Sequence, residues 1–158
     1  MRNVFVSYAH RLDQPAADRF RETFAIKRKA FSDRSLSNGD LGHLSDETIK
    51  NNYIKPKIRN SSVTIILIGA DTGGRWWVDW EVYYSLRKGV NNERNGLLGI
   101  LLPNKQHRIP ERLNKNLHMG KIILWPRNSR TLVNEVEAVY QLRWGKPNLD
   151  DFLRQRNS

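Results

Sequence analysis

The sequence contains no cysteine. This absence excludes disulfide bonds, thiol catalysis and thiolate metal sites, and it favours a reducing cytoplasm as the location. No apolar run reaches the roughly 18 residues that a membrane-spanning helix needs. The first residues lack the long apolar core of a secretory leader, because a strand pattern begins at Val4. We therefore expect a cytoplasmic protein without a membrane segment.

Acidic residues are few compared with basic ones. The chain has 16 of the former and 27 of the latter, which gives a formal net charge of +11 at pH 7. Such a charge attracts phosphate-bearing partners, either nucleic acid or a dinucleotide. However, the basic residues are scattered, and the densest run covers only residues 27–29. Nucleic-acid binders more often gather their charge on one helix or interleave it with exposed aromatic residues, so nucleic-acid binding is the weakest alternative.

Metal and phosphate motifs are also missing. The 4 histidines show no metal-ligand spacing, so no metal site is expected. The glycine pairs in residues 39–42 and 73–74 lack the Lys-Ser/Thr of a phosphate-binding loop, and no GxGxxG pattern follows the first strand. Ser7 and His10 lie close together, but no nucleophile elbow surrounds the serine.

Strand and helix patterns alternate along the chain. Strand patterns cover residues 4–6, 30–31, 62–69, 97–102 and 122–125, and helix patterns begin near residues 13, 45, 75 and 131. Pro56 is expected to kink or end the second helix. C-terminal helices are predicted within residues 131–155, with a final long helix over about residues 131–143 and the tail after Gly145 as a short helix or a frayed end. The segment around Pro110 has no assignable pattern.

This alternation predicts an α/β fold of the flavodoxin-like type. We expect one domain over residues 1–158, with a five-stranded parallel sheet in the order 2-1-3-4-5 and helices on both faces. In that order, a crevice lies over the carboxyl ends of the first and third strands. The candidate site is therefore bounded by residues 7–10 and residues 69–81.

Residues 72–81 combine a glycine turn with three tryptophans and one carboxylate. Trp77 and Glu81 are four residues apart, so a helix places them on one face. In a crevice, the indole would disfavour ionisation of Glu81, which would then act as a tuned acid or bind a ligand rich in hydroxyl groups. The alternative is an ordinary solvated glutamate beside tryptophans of the core, and the residues alone favour this alternative.

The motifs together resemble the TIR (Toll/interleukin-1 receptor) domain family, over about residues 3–125. Residues 4–10 are similar to its first box, and residues 31–33 lie where its mobile loop begins. Residues 77–81, Trp-Val-Asp-Trp-Glu, are similar to its glutamate box with valine in place of cysteine. Residues 62–69, together with residues 75–78 and Glu81, are especially similar to those of the stand-alone prokaryotic branch in Thoeris anti-phage systems.

The resemblance implies an activity. In enzymatic TIR domains, the glutamate at the position of Glu81 is catalytic in cleaving the nicotinamide–ribose bond of NAD, which is a substrate and not a bound cofactor. Attack by water gives ADP-ribose, and attack by an atom of the same molecule gives a cyclic isomer. The Thoeris resemblance implies a cyclic signal that activates a separate effector protein in anti-phage defence.

The resemblance also implies roles for further residues. Phe5, Ser7 and Tyr8 would line the nicotinamide–ribose end, and Trp77 would form a wall beside Glu81. Core packing is nearly as good an explanation for Phe5 and Trp77.

Two loops carry the other candidate ligand contacts, which are His10, Asp33 and Arg34. The rival hypothesis is a non-catalytic interaction module, because many TIR domains act through self-assembly. A basic nucleic-acid binder is the third hypothesis and rests on charge alone.

Overall fold

The computed structural model describes residues 1–35, 42–87, 93–103, 105–149 and 152–156. In these ranges, five parallel strands form one sheet in the order β2-β1-β3-β4-β5, which confirms the predicted fold class. The strands are β1 (Asn3–Ser7), β2 (Ser32–Asp33), β3 (Val63–Ile68), β4 (Gly96–Leu101) and β5 (Gly120–Leu124).

The second strand differs from its predicted position. Ala30 and Phe31 were expected to form it, but both are buried in the core and the strand begins at Ser32. Asn3 pairs with Ser32, and only one further residue pair extends this ladder. Such a short edge strand leaves little pattern in the sequence, because its position depends on the pairing partner.

The central strand behaves as its sequence predicts. All six residues of β3 are buried, and β1 and β4 pair with it on either side. A strand covered on both faces needs apolar residues at every position. The edge strand β5 is also mainly apolar but only partly buried, and Leu124 at its end is exposed.

Helices cover both faces of the sheet, as predicted. They are α1 (Gln14–Phe20), α2 (Asp46–Thr48), α3 (Lys55–Arg59), α4 (Trp76–Leu86), α5 (Glu111–Asn114) and α6 (Ser129–Leu142). Side chains of α1 and α6 pack in one core cluster with β1 and β3, and side chains of α3 and α4 pack in clusters on the other face. In the described ranges, no helix has the length and hydropathy needed to cross a membrane.

Pro56 does not end the second helical region. The segment Ile49–Ile54 between α2 and α3 is π-helical, and Pro56 falls in the first turn of α3. Proline lacks an amide hydrogen and crowds the preceding turn. The wider π-helical turns before Pro56 accommodate both effects. The pattern of apolar residues could not indicate these wider turns.

Gly96 at the start of β4 allows α6 to pack closely on the sheet. A Cβ atom at this position would lie 2.3 Å from the carbonyl oxygen of Val139. The contact is with helix backbone, which cannot rotate away as a side chain could. The sequence therefore needs glycine here to bring α6 down onto β4.

The final helix ends close to its predicted end at residue 143, and the described residues of the tail after Gly145 do not form the short helix that was one of its two predicted states. Helix α6 ends at Leu142, and no helix follows in the described residues 145–149 and 152–156. Gly145 and Pro147 account for the stop, because glycine favours helix ends and proline cannot continue one. The tail instead crosses α4, where Nε1 of Trp80 donates a 2.8 Å hydrogen bond to the carbonyl oxygen of Arg154.

Candidate active site

Glu81 lies against the carboxyl end of β1, on the sheet face that α4 covers. Side chains alternate along a strand, and Phe5 and Ser7 are the residues of β1 that face α4. The Ser7 hydroxyl donates a 2.6 Å hydrogen bond to Oε1 of Glu81. Glu81 is only 8% exposed. It is therefore not the solvated glutamate that the residues alone favoured.

Burial changes the protonation of this carboxyl group. Removal from water raises the pKa of Glu81 from 4.5 to about 8, because the charged form loses its hydration. The hydrogen bond from Ser7 and the positive charges of Lys57 and Arg21 act in the opposite direction and lower the pKa. At neutral pH, most molecules therefore carry a proton on Glu81, and a nearby cationic ligand would favour its release.

Three aromatic rings connect the loop after β1 to the start of α4. The rings of Tyr8 and His10 stack with centroids 4.5 Å apart, and the edge of His10 meets Trp77 at 5.6 Å. Nε1 of Trp77 donates a 3.0 Å hydrogen bond to the carbonyl oxygen of Tyr8. His10 remains exposed at its outer side, yet packing removes enough water to lower its pKa. The predicted residues of the two segments are thus in contact.

Asp33 is tied to this group through Arg21. Nε of Arg21 donates a 2.7 Å hydrogen bond to Oδ2 of Asp33, and Nη1 donates a 3.3 Å hydrogen bond to the Tyr8 hydroxyl. Oδ1 of Asp33 accepts from the backbone amide of Ser35 at 2.9 Å and from the Ser35 hydroxyl. Asp33 therefore positions Arg21 and Ser35 rather than projecting towards Glu81.

Phe5 and Arg34 do not line an opening beside Glu81. Phe5 is buried in a cluster with Trp80 and three isoleucines, as expected of a core residue. Arg34 is exposed and donates a 3.2 Å hydrogen bond to Oδ1 of Asn3, at the beginning of β1. Contact of these two residues with NAD remains a prediction, and Arg34 would have to change its side-chain position to make it.

Sequence reasoning missed Arg21 and Lys57, both of which act electrostatically on Glu81. Burial lowers the pKa of Lys57, while the charge of Glu81 raises it. Arg21 lies in the π-helical segment that follows α1, and Lys57 lies in α3. Apolar spacing indicates which faces of these helices are buried, but it does not indicate that two cations converge on one carboxylate from separate helices.

The arrangement suits the stabilisation of positive charge. An ionised Glu81 would be held by the Ser7 hydroxyl and would present a fixed negative charge in a site that excludes most water. Such preorganised charges act most strongly where water is excluded. Within the described part of the chain, no group of three or more acidic or histidine side chains is placed to hold a metal ion.

Residues 5–107 match the family model described as Thoeris protein ThsB, TIR-like domain. The matched range includes β1 from Phe5 onwards, β2 to β4 and every predicted site residue, and it ends before β5 and α6. It is somewhat shorter than the resemblance over residues 3–125. The match agrees with the motifs in residues 4–10, 31–33 and 77–81.

Proposed function

The chain belongs to the family of TIR-like domains of the Thoeris protein ThsB, a family of anti-phage defence, and we propose that it cleaves the nicotinamide–ribose bond of NAD. The proposed product is a cyclic ADP-ribose-type signal that activates a separate effector protein. The observation that carries the proposal is the buried Glu81 carboxyl group held by Ser7 at the carboxyl end of β1. We propose that the reaction takes place in the cytoplasm.

The chemistry follows from the charge that bond cleavage creates. Nicotinamide leaves with both electrons of the bond, and the ribose becomes an oxocarbenium-like cation. An ionised Glu81 stabilises this cation and accepts hydrogen bonds from the ribose hydroxyls. A nucleophilic atom of the same molecule then attacks and releases a proton, or water attacks and gives ADP-ribose. Because Glu81 is 8% exposed, productive binding requires surrounding side chains to move.

The substrate itself favours the active form of Glu81. The nicotinamide ring of NAD carries a positive charge, and a positive charge close to a carboxyl group lowers its pKa. The binding of NAD would therefore promote the ionisation that the ligand-free site resists. Lys57 and Arg21 favour the same ionised form, and their charges could also hold the diphosphate of the substrate.

Product analysis tests the proposed reaction directly. The purified full chain is incubated with NAD at concentrations that allow self-assembly, and the nucleotides are identified by mass spectrometry. We expect loss of NAD, release of nicotinamide and a product with the mass of cyclic ADP-ribose. A product with the mass of ADP-ribose would support the cleavage of NAD but contradict cyclisation. An unchanged NAD pool would reject the enzyme and favour the non-catalytic interaction module.

The pH dependence of the reaction should follow the ionisation of Glu81. Since kcat/KM reports groups of the free enzyme, it should rise roughly fiftyfold between about pH 6 and pH 8 and level off above about pH 9. The midpoint is expected near the pKa of about 8. Initial rates at low NAD concentration measure this profile.

A variant of Lys57 provides the control for this profile. Lys57→Gln removes a positive charge that lowers the pKa of Glu81, so its midpoint should move to higher pH. A flat profile in the parent protein would contradict a requirement for ionised Glu81. An unchanged midpoint in the variant would contradict the electrostatic role given to Lys57.

A further inference from the structure

A polar cavity lies at the amino ends of the strands, opposite the edge of the sheet that carries Glu81. It has a volume of about 550 Å³ and includes residues that begin β1 or immediately precede β3 and β4. Its charged lining consists of four arginines and one carboxylate, namely Arg34, Arg59, Arg94, Arg143 and Glu93. The lining is therefore strongly basic.

Arg143 is held rigidly in this cavity. It is 9% exposed, and its Nη1 donates a 2.7 Å hydrogen bond to the carbonyl oxygen of Tyr140. Its guanidinium group also lies 3.6 Å from the centroid of the Tyr140 ring and 4.1 Å from that of Trp144. A guanidinium group fixed by packing loses little further freedom when it binds an anion.

Three of the four arginines have no carboxylate partner in the described part of the chain. Within the described ranges, no carboxylate lies within ion-pair distance of Arg34, Arg59 or Arg143. Arg34 instead donates a hydrogen bond to the side chain of Asn3. Arginines that converge without carboxylate partners suit phosphate groups, which accept two parallel hydrogen bonds from one guanidinium.

Stabilisation of helix ends explains only part of this cluster. Arg59 is the last residue of α3, and Arg143 follows the last residue of α6, where positive charges are favourable. Arg34 and Arg94 belong to neither helix. Their convergence on the same cavity requires another explanation.

The cavity would recognise phosphate groups rather than a nucleobase. Tyr140 is the aromatic residue in its lining, and the guanidinium groups of Arg2 and Arg143 each lie 3.6 Å from the ring centroid. Two groups at this distance can occupy only opposite faces of one ring. Neither face of Tyr140 is then open for base stacking, which nucleic-acid binders commonly use.

We propose that this cavity binds a small ligand with two or more phosphate groups, such as an inorganic polyphosphate or a nucleotide. The cavity volume is within the usual range for small-molecule sites. The site is separate from Glu81 and does not depend on the proposed NAD chemistry. It also gives a structural role to part of the net charge of +11.

Titration with sodium tripolyphosphate tests the proposal by calorimetry on the full chain. We expect saturable binding that weakens as salt is raised, because phosphate contacts release counterions. The double variant Arg34→Gln/Arg59→Gln removes two exposed arginines and should bind tripolyphosphate more weakly by about tenfold or more. Each substitution removes a charge-assisted hydrogen bond to a phosphate group. The matched variant Arg127→Gln/Arg130→Gln has the same net charge, changes exposed residues elsewhere, and should bind like the parent.

Four outcomes would overturn the proposal. Absence of saturable binding would reject the site, and equal weakening in the two double variants would show non-specific attraction. Loss of binding in Lys57→Gln would place the tripolyphosphate at the cations beside Glu81 instead. A parallel titration with a short single-stranded oligonucleotide distinguishes the phosphate source, because much tighter binding of the oligonucleotide would reject a small-ligand site. Thermal denaturation of each variant checks that it is folded.

Discussion

Glu81→Gln should reduce NAD turnover by about a hundredfold or more, because it removes a preorganised charge worth roughly 3 to 4 kcal/mol in the transition state. Glutamine has almost the same shape and can still accept the hydrogen bond that Ser7 donates to Glu81. The loss should therefore appear mainly in kcat rather than in KM. Steady-state rates of nicotinamide release measure it, and turnover equal to that of the parent would reject the catalytic role of Glu81.

The stability of the same variant shows whether its inactivity comes from the lost charge or from unfolding. The pKa of Glu81 is raised in the folded state to about 8, so the folded protein retains a proton that the unfolded chain releases above about pH 4.5. The free energy of unfolding of the parent should therefore decrease as the pH rises between these two values. Above pH 8 the burial penalty is complete, at about 1.4 kcal/mol for each unit of pKa shift.

Glu81→Gln carries no such penalty. It should have nearly the stability of the parent at about pH 4.5 and exceed it by several kcal/mol at pH 9. Urea denaturation at the two pH values measures this difference. An inactive variant that is more stable than the parent at high pH cannot owe its inactivity to unfolding. If the difference in the free energy of unfolding between variant and parent does not change with pH, burial does not raise the pKa of Glu81.

The sequence was sufficient to predict the features that depend on repeated local patterns. The continuous apolar run of β3 indicated a central strand, and the spacing of Trp77 and Glu81 indicated one helical face beside it. The alternation of helices and strands then predicted the sheet order, and the order placed residues 7–10 beside this helix. Contact of Ser7 with Glu81 follows from that topology.

Other features depend on contacts between distant segments and could not be predicted in this way. Arg21 and Lys57 approach Glu81 only because two helices pack at particular positions. The arginines of the polar cavity at the amino ends of the strands come from segments between residues 34 and 143. In the sequence they are scattered charges, and their convergence becomes visible only when the starts of β1, β3 and β4 lie side by side.

The C-terminal tail is another such feature, and Asp79 connects it to α4. Oδ1 of Asp79 accepts a 2.7 Å hydrogen bond from Nε of Arg112, and Oδ2 accepts a 2.7 Å hydrogen bond from the backbone amide of Arg154. The Arg112 side chain is only 3% exposed. The Asp79 carboxylate thus neutralises the buried charge of Arg112 in α5 and accepts a hydrogen bond from the backbone of the tail.

Asp79→Ala should lower the free energy of unfolding by about 3 to 5 kcal/mol, because it leaves the charge of Arg112 buried without its carboxylate partner. For a domain of this size, each kcal/mol corresponds to a decrease in Tm of about 2 to 4 °C. Calorimetry or thermal denaturation monitored by circular dichroism measures the change. A Tm equal to that of the parent would contradict the buried ion pair.

The double variant Asp79→Leu/Arg112→Met distinguishes the ion pair from other functions of Asp79. If most of the loss in Asp79→Ala comes from the broken ion pair with Arg112, removing both charges should restore a large part of the stability. If the loss comes from the hydrogen bond to the Arg154 amide, the double variant should remain as unstable as the single one. Asp79 lies two residues before Glu81 in α4. NAD turnover of the double variant therefore also shows whether anchoring the tail positions the carboxylate that the proposed reaction needs.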